Sequence, residues 1–135
     1  LQHDPHNKLQ DCVRDLNHIY KNNPAMYEYQ FDRKGFEWVS LEHRNEGVIV
    51  YKRKGKQRAD DMVIILNVTK TNYPEWKLQL KGKTSWKEVF NSNNVRYWGT
   101  GKYVDKQMDI ITVDKKKKLY EIKIGIPALS AIILQ

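Results

Sequence analysis

Hydrophobic positions along this chain follow two different periods. Leu9, Cys12, Val13, Leu16, Ile19 and Tyr20 stand at offsets 0, 3, 4, 7, 10 and 11, one stripe of an α-helix. Asp4-Pro5 supplies a start, an N-cap acceptor and then a proline at the first helical position. Asn22-Asn23-Pro24 supplies a stop, because asparagine tolerates the left-handed cap and proline cannot continue a helix. The spacing predicts a helix over residues 5–21.

After a short aromatic connector the period changes to two. Residues 35–41 carry Phe36 and Trp38 on one face. Residues 75–80 set Trp76, Leu78 and Leu80 against Lys77 and Gln79. Residues 120–126 set Tyr120, Ile122, Ile124 and Ile126 against Glu121, Lys123 and Gly125. GVIVYK at 47–52 and MVIILNV at 62–68 are continuous apolar runs, as expected of strands in the middle of a two-layer core. Residues 85–90, 108–113 and 128–134 complete the set, with a loop over 91–106 rich in turn residues. About eight short strands of this kind predict an all-β fold, a Greek-key sandwich with antiparallel pairing.

The lone helix is then out of place. Burying its six apolar side chains is worth roughly 9–18 kcal/mol as an upper bound. That rivals the whole stability of a domain, about 5–15 kcal/mol. Such a stripe packs on the sandwich, on a second copy, or on a part of the protein outside this sequence.

Composition narrows the picture. With 135 residues and a hydrophobic fraction of 40%, the chain has the means to bury one core. No apolar run reaches membrane-spanning length, so no membrane partner is expected. The single cysteine, Cys12, has no internal partner; with no secretion signal in the given sequence, a cytoplasmic location is expected. Asn67-Val68-Thr69 fits the glycosylation pattern but ends an apolar strand. The net charge is +8; the cations are mostly spread along the chain and concentrate in two segments, 52–58 and 115–118, each between apolar strands where a solvated turn belongs.

Candidate chemistry is sparse. Asp60 and Asp61 are adjacent and precede a strand, which suits a turn better than a catalytic pair. His3 and His6 lack a third ligand, so no metal site is expected. His18 lies beside the helix stripe and is expected to pack where that stripe meets its neighbour, and His43 is expected to be exposed. Cys12 sits on the stripe with no partner base, a core position rather than a nucleophile. No catalytic residue and no cofactor site is expected. Tyr97 and Trp98, in a glycine-flanked loop, and Trp38 are the candidates for stacking on sugar rings.

A resemblance organises these features. Arg14 to Trp38, RDLNHIYKNNPAMYEYQFDRKGFEW, resembles one place in the bacterial 1,4-α-glucan branching enzymes of the α-amylase superfamily, glycoside hydrolase family 13. There an RDLN-xx-Y helix closes the catalytic (β/α)₈ barrel, and a GFEW segment opens a C-terminal β-domain. ILNVT at 65–69 is similar to the family's xxNFT strand end. Trp86-Lys87-Glu88-Val89-Phe90-Asn91-Ser92, Tyr97-Trp98-Gly99-Thr100-Gly101 and residues 122–130, IKIGIPALS, resemble three further segments in the family's order. The chain departs from the pattern at Val68, at residues 115–118, where the family carries a histidine-glycine-x-proline turn, and at Gly125-Ile126, where the family places one of two prolines.

The resemblance implies residues 1–24 as the last helix of a barrel absent from this sequence, and residues 25–135 as the all-β domain. Leu9, Cys12, Val13, Leu16, Ile19 and Tyr20 would face that barrel. The parent enzyme would move an α-1,4 glucan segment onto a 6-hydroxyl by retaining double displacement, on carboxylates that lie elsewhere. Implied partners are the barrel and α-glucan (glycogen or amylose), with no nucleic acid. Two other functions are weighed beside it: a stand-alone carbohydrate-binding module, and a basic β-domain binding nucleic acid through the lysine-rich turns.

Overall fold

The computed structural model describes residues 3–40 and 44–135. Helix α1 runs Asp4–Asn22, one residue beyond the predicted span at each end. Side chains satisfy two of its terminal carbonyls. Asn22 Nδ2 donates to His18 O and Asn23 Nδ2 to Ile19 O, both at 2.8 Å.

The described residues form eight strands: β1 Phe36–Ser40, β2 Val48–Arg53, β3 Met62–Asn67, β4 Tyr73–Lys81, β5 Glu88–Asn91, β6 Asp109–Asp114, β7 Leu119–Ile126 and β8 Ser130–Leu134. They make two antiparallel sheets, β1-β2-β3-β8-β5 and β4-β7-β6. Segment 86–88 and residues 108–110 line one cleft, which brings the β5 edge of one sheet beside the β6 edge of the other. Followed around that edge, the order β8-β5-β6-β7 is a Greek key. Fold class and topology therefore match the sequence expectation.

The strand ends differ in two places. Regular pairing of the strand expected at 85–90 begins only at Glu88, with a register shift before Phe90. The last strand starts at Ser130, because Pro127 interrupts the ladder and Leu129 turns the backbone at φ 49°. Leu41 and His43 lie outside the described residues.

Val48, Val50, Val63, Ile65, Ile132 and Leu134 of one sheet meet Trp76, Leu78, Leu80, Ile122, Ile124 and Ile126 of the other. A second cluster lies on the opposite face of the five-stranded sheet. Met62, Ile64, Phe90 and Ile133 there pack with Ile19 of α1 and with Ala25. β3 reads as an unbroken apolar run because it is covered twice, by the facing sheet and by the helix.

Asn67 ends β3 at 2% exposure. Its amide donates to Thr71 O and Pro127 O, each at 2.9 Å, and its Oδ1 accepts from the amide and hydroxyl of Thr69. The Asn-x-Thr pattern is thus a buried clasp between the two sheet-crossing turns, with no free amide for a glycan.

Candidate functional site

The helix stripe divides along its length. Ile19 is buried and Cys12 half-buried against the sandwich. Leu9, Val13, Leu16 and Tyr20, turned roughly a quarter revolution away, are exposed, Leu9 at 64%. Ile19 is therefore not available to an external neighbour, which corrects its placement with the barrel-facing set. Burial pushes the Cys12 thiol up, with Asp15 adding to the effect, so it is held as the unreactive thiol.

Asp15, on the sandwich side of α1, fixes that orientation. Tyr97 Oη donates to Asp15 Oδ2 at 2.5 Å, and Arg96 Nε lies 3.2 Å from the same oxygen. Both partners belong to the 3₁₀ turn Val95–Tyr97 in the loop after β5. The Tyr97 ring stacks on Phe90, centroids 5.4 Å apart and planes 29° apart. Burial first, then Asp15, push the Tyr97 phenol up. Two segments that carry the sequence resemblance, RDLN and YWGTG, are thus in direct contact.

The three aromatic candidates do not converge. Tyr97 is engaged with Asp15 and Phe90. Trp98, next to it, is 68% exposed and holds a left-handed backbone, φ 70°. Trp38 is half-exposed on β1, edge-on to Phe36 at 4.9 Å. β1 and β5 are the two edges of a five-stranded sheet, roughly 19 Å apart. Phe31, in the connector after α1, is 97% exposed. Trp76 and Trp86 are core residues.

The loop after β5 is built from amides and one carboxyl. Asn91 and Asn93 are its struts. Asn91 Nδ2 donates to Glu88 Oε1 at 3.0 Å and its Oδ1 accepts from Asn93 N. Asn93 Nδ2 donates to Thr100 Oγ1 and Lys102 O, at 2.8 and 3.1 Å. A Cβ on Gly99 would collide with the Asn93 backbone, so the turn needs glycine there. Asp105 N donates to Glu88 Oε2 at 2.6 Å. Burial, with the Asp105 carboxyl adding to it, raises Glu88 from 4.5 to about 7, against the Asn91 and Asp105 amide bonds that favour its charged form. The Asp15–Tyr97 and Glu88–Asp105 links escaped sequence reasoning because their partners lie 82 and 17 positions apart. Glu88 and its asparagine did sit inside a quoted motif, which was the available signal.

The two basic segments meet at one end of the sandwich. Gly82 N donates to Lys118 O, and the Arg58 side chain lies against Gly82. Lys52 of the first segment and the neighbouring Lys83 are not freely solvated. Lys52 is buried on β2 and its Nζ donates to Lys81 O at 2.8 Å. Lys83 Nζ donates to Asp61 O at 3.0 Å and sits 4.2 Å over the Trp86 ring. Burial lowers both amines and raises Asp61. Lys52 therefore departs from the expected solvated turn, because an aliphatic stem can line the core while its head caps a carbonyl. His18 is exposed, its ring nitrogen 3.2 Å from the Asn22 amide. No group of three or more metal-ligating side chains occurs among the described residues. No helix among them is long and apolar enough to cross a membrane.

Residues 38–135 match the family described as alpha amylase, C-terminal all-beta domain. The chain belongs to that family. The matched residues run from β1 to the end of β8, so this alpha amylase C-terminal domain includes the sandwich and leaves α1 outside the match. Three proteins named 1,4-alpha-glucan branching enzyme GlgB are similar to it. That of Prochlorococcus marinus is 29% identical over all 135 residues, which are 18% of its length. That of Desulfitobacterium hafniense is 28% identical over the whole chain, 21% of its length. That of Bradyrhizobium diazoefficiens is 31% identical over 99% of the chain, 18% of its length. The alpha amylase C-terminal domain thus spans about a fifth of the curated relatives it matches.

Proposed function

We propose that this chain is the C-terminal β-domain of a 1,4-α-glucan branching enzyme, with a structural role against the catalytic barrel and no catalysis of its own. The observation that carries the proposal is the exposed ridge Leu9, Val13, Leu16 and Tyr20 on a helix clamped to the sandwich through Asp15. A helix held rigidly with an apolar ridge outward is a ready surface for a second body. In this reading that body is the barrel, and α1 belongs to both: its inner edge serves the sandwich, its outer edge the barrel. Phe31, in the connector that follows, is a further exposed apolar side chain. The branching reaction itself runs on barrel carboxylates. Of the three aromatic candidates, Trp98 offers the ring that a glucan would stack on.

The experiment is complementation. A branching enzyme truncated to remove its own C-terminal fifth is mixed with this chain, and amylose branching is followed by loss of iodine absorbance. Restored branching, abolished by Val13→Asp with Leu16→Asp, is the expected result. Branching by this chain alone, or restoration that is indifferent to those two substitutions, would overturn the proposal.

A further inference from the structure

The sandwich is open at the edge where β5 and β6 meet. A cleft of about 540 Å³ lies there, within the size range of small-ligand sites. Its floor is apolar, formed by Trp86, Met108 and Ile110, and its rim carries Glu88, Asp105 and Lys106. Trp86 is 6% exposed, and its indole N–H has no acceptor among the described residues. Lys106 is steadied at the rim by the Tyr103 ring, 5.5 Å from its Nζ. Asp105 holds a left-handed backbone, φ 52°, which an aspartate tolerates better than most residues.

The chemistry of this rim selects a class of ligand. Two amines, Lys87 and Lys106, face two carboxyls, Glu88 and Asp105, so neither a cation nor an anion meets a field of one sign. The Glu88 oxygens accept from Asn91 Nδ2 and Asp105 N and so brace the rim, while the Asp105 carboxyl and the Lys106 amine set an acceptor beside a donor. Donors and acceptors set around an apolar floor suit a neutral molecule with many hydroxyls and one apolar face. We propose that the cleft is a subsite for a short α-glucan segment, its hydroxyls met by Asp105, Glu88 and Lys106 and its apolar face laid on Met108 and Ile110. The identity of the sugar rests on the branching-enzyme reading above; the polyol chemistry rests on the cleft.

Maltoheptaose is titrated into the 135-residue chain while the Trp86 indole N–H resonance and the Ile110 methyl resonances are followed by NMR. Saturable shifts at both, weakened at least about tenfold by Asp105→Asn and by Lys106→Ala with the spectrum otherwise folded, are the expected result. Asparagine keeps the left-handed turn, so a folded variant is expected. Shifts confined to Trp98, no shifts at all, or shifts unchanged in both variants would overturn the subsite. Complementation of a truncated branching enzyme does not depend on this titration, so the two readings fail separately.

Discussion

The Tyr97 hydroxyl donates a 2.5 Å hydrogen bond to Asp15, joining positions 82 residues apart. A hydrogen bond to a charged acceptor contributes about 1.5–3 kcal/mol. Tyr97→Phe keeps the ring on Phe90 and removes only the hydroxyl. It is expected to destabilise the fold by that amount and to speed amide exchange in α1 before it speeds exchange in β3. Combined with Asp15→Ala, the two losses should not add in full, because both remove the Tyr97–Asp15 bond while Asp15→Ala also loses the Arg96 pair. Urea denaturation of the four proteins in that cycle supplies the measurement.

Gly125 faces the ring of Tyr103. A Cβ at Gly125 would lie 2.7 Å from Tyr103 Cγ and 2.8 Å from Cδ1. Tyr103 Cβ lies 3.0 Å from the same point, so turning the ring alone does not clear the contact. Gly125→Ala is expected to lower stability by about 1–3 kcal/mol, the usual penalty for overpacking. Adding Tyr103→Ala should return part of that loss. Thermal melts of the single and double variants check both statements.

Glu88 gives the fold a pH dependence whose sign follows from its raised pKa. Its value goes from 4.5 to about 7 on folding, so the folded chain holds this proton more tightly than the unfolded chain. The stabilisation is complete below about pH 4.5 and disappears as pH climbs to 7. Glu88→Gln stays neutral and lacks that slope. Urea unfolding across this window should show wild type falling relative to the glutamine variant. Asp61 is raised as well, but it is common to both proteins and cancels in the difference. Parallel curves would refute the assignment.

The divided helix stripe makes a contrast between neighbours in the same pattern. Ile19→Ala, at a buried position, is expected to lose about 2–5 kcal/mol. Val13→Ala, on the exposed ridge, is expected to change stability by no more than about 0.5 kcal/mol. Guanidinium midpoints of the two variants decide the matter.

Most of the architecture was legible in the sequence, for identifiable reasons. The helix and strands announce themselves through period, and Pro24 and Pro127 mark their boundaries by chemistry. The continuous run at 62–68 reads as a strand in the middle of a two-layer core, but periodicity has no means of saying that a helix covers the second face of Met62 to Asn67. Leu9 and Ile19 look alike as letters on one stripe, and only the Asp15 contact tells which edge faces inward. Glu88 and Asp105 meet although they stand 17 positions apart, a distance no local pattern encodes. Lys52 reads as part of a basic turn, although its stem lines the core.

The five-stranded sheet has no weatherproof side of its own. Peeling α1 away from it would leave Met62, Ile64, Phe90 and Ile133 bare to the solvent, so scissors placed at residue 24 would cut through a folding unit rather than between two. A sandwich expressed from residue 25 onward should come out of the cell sticky and self-associating, however complete its strands.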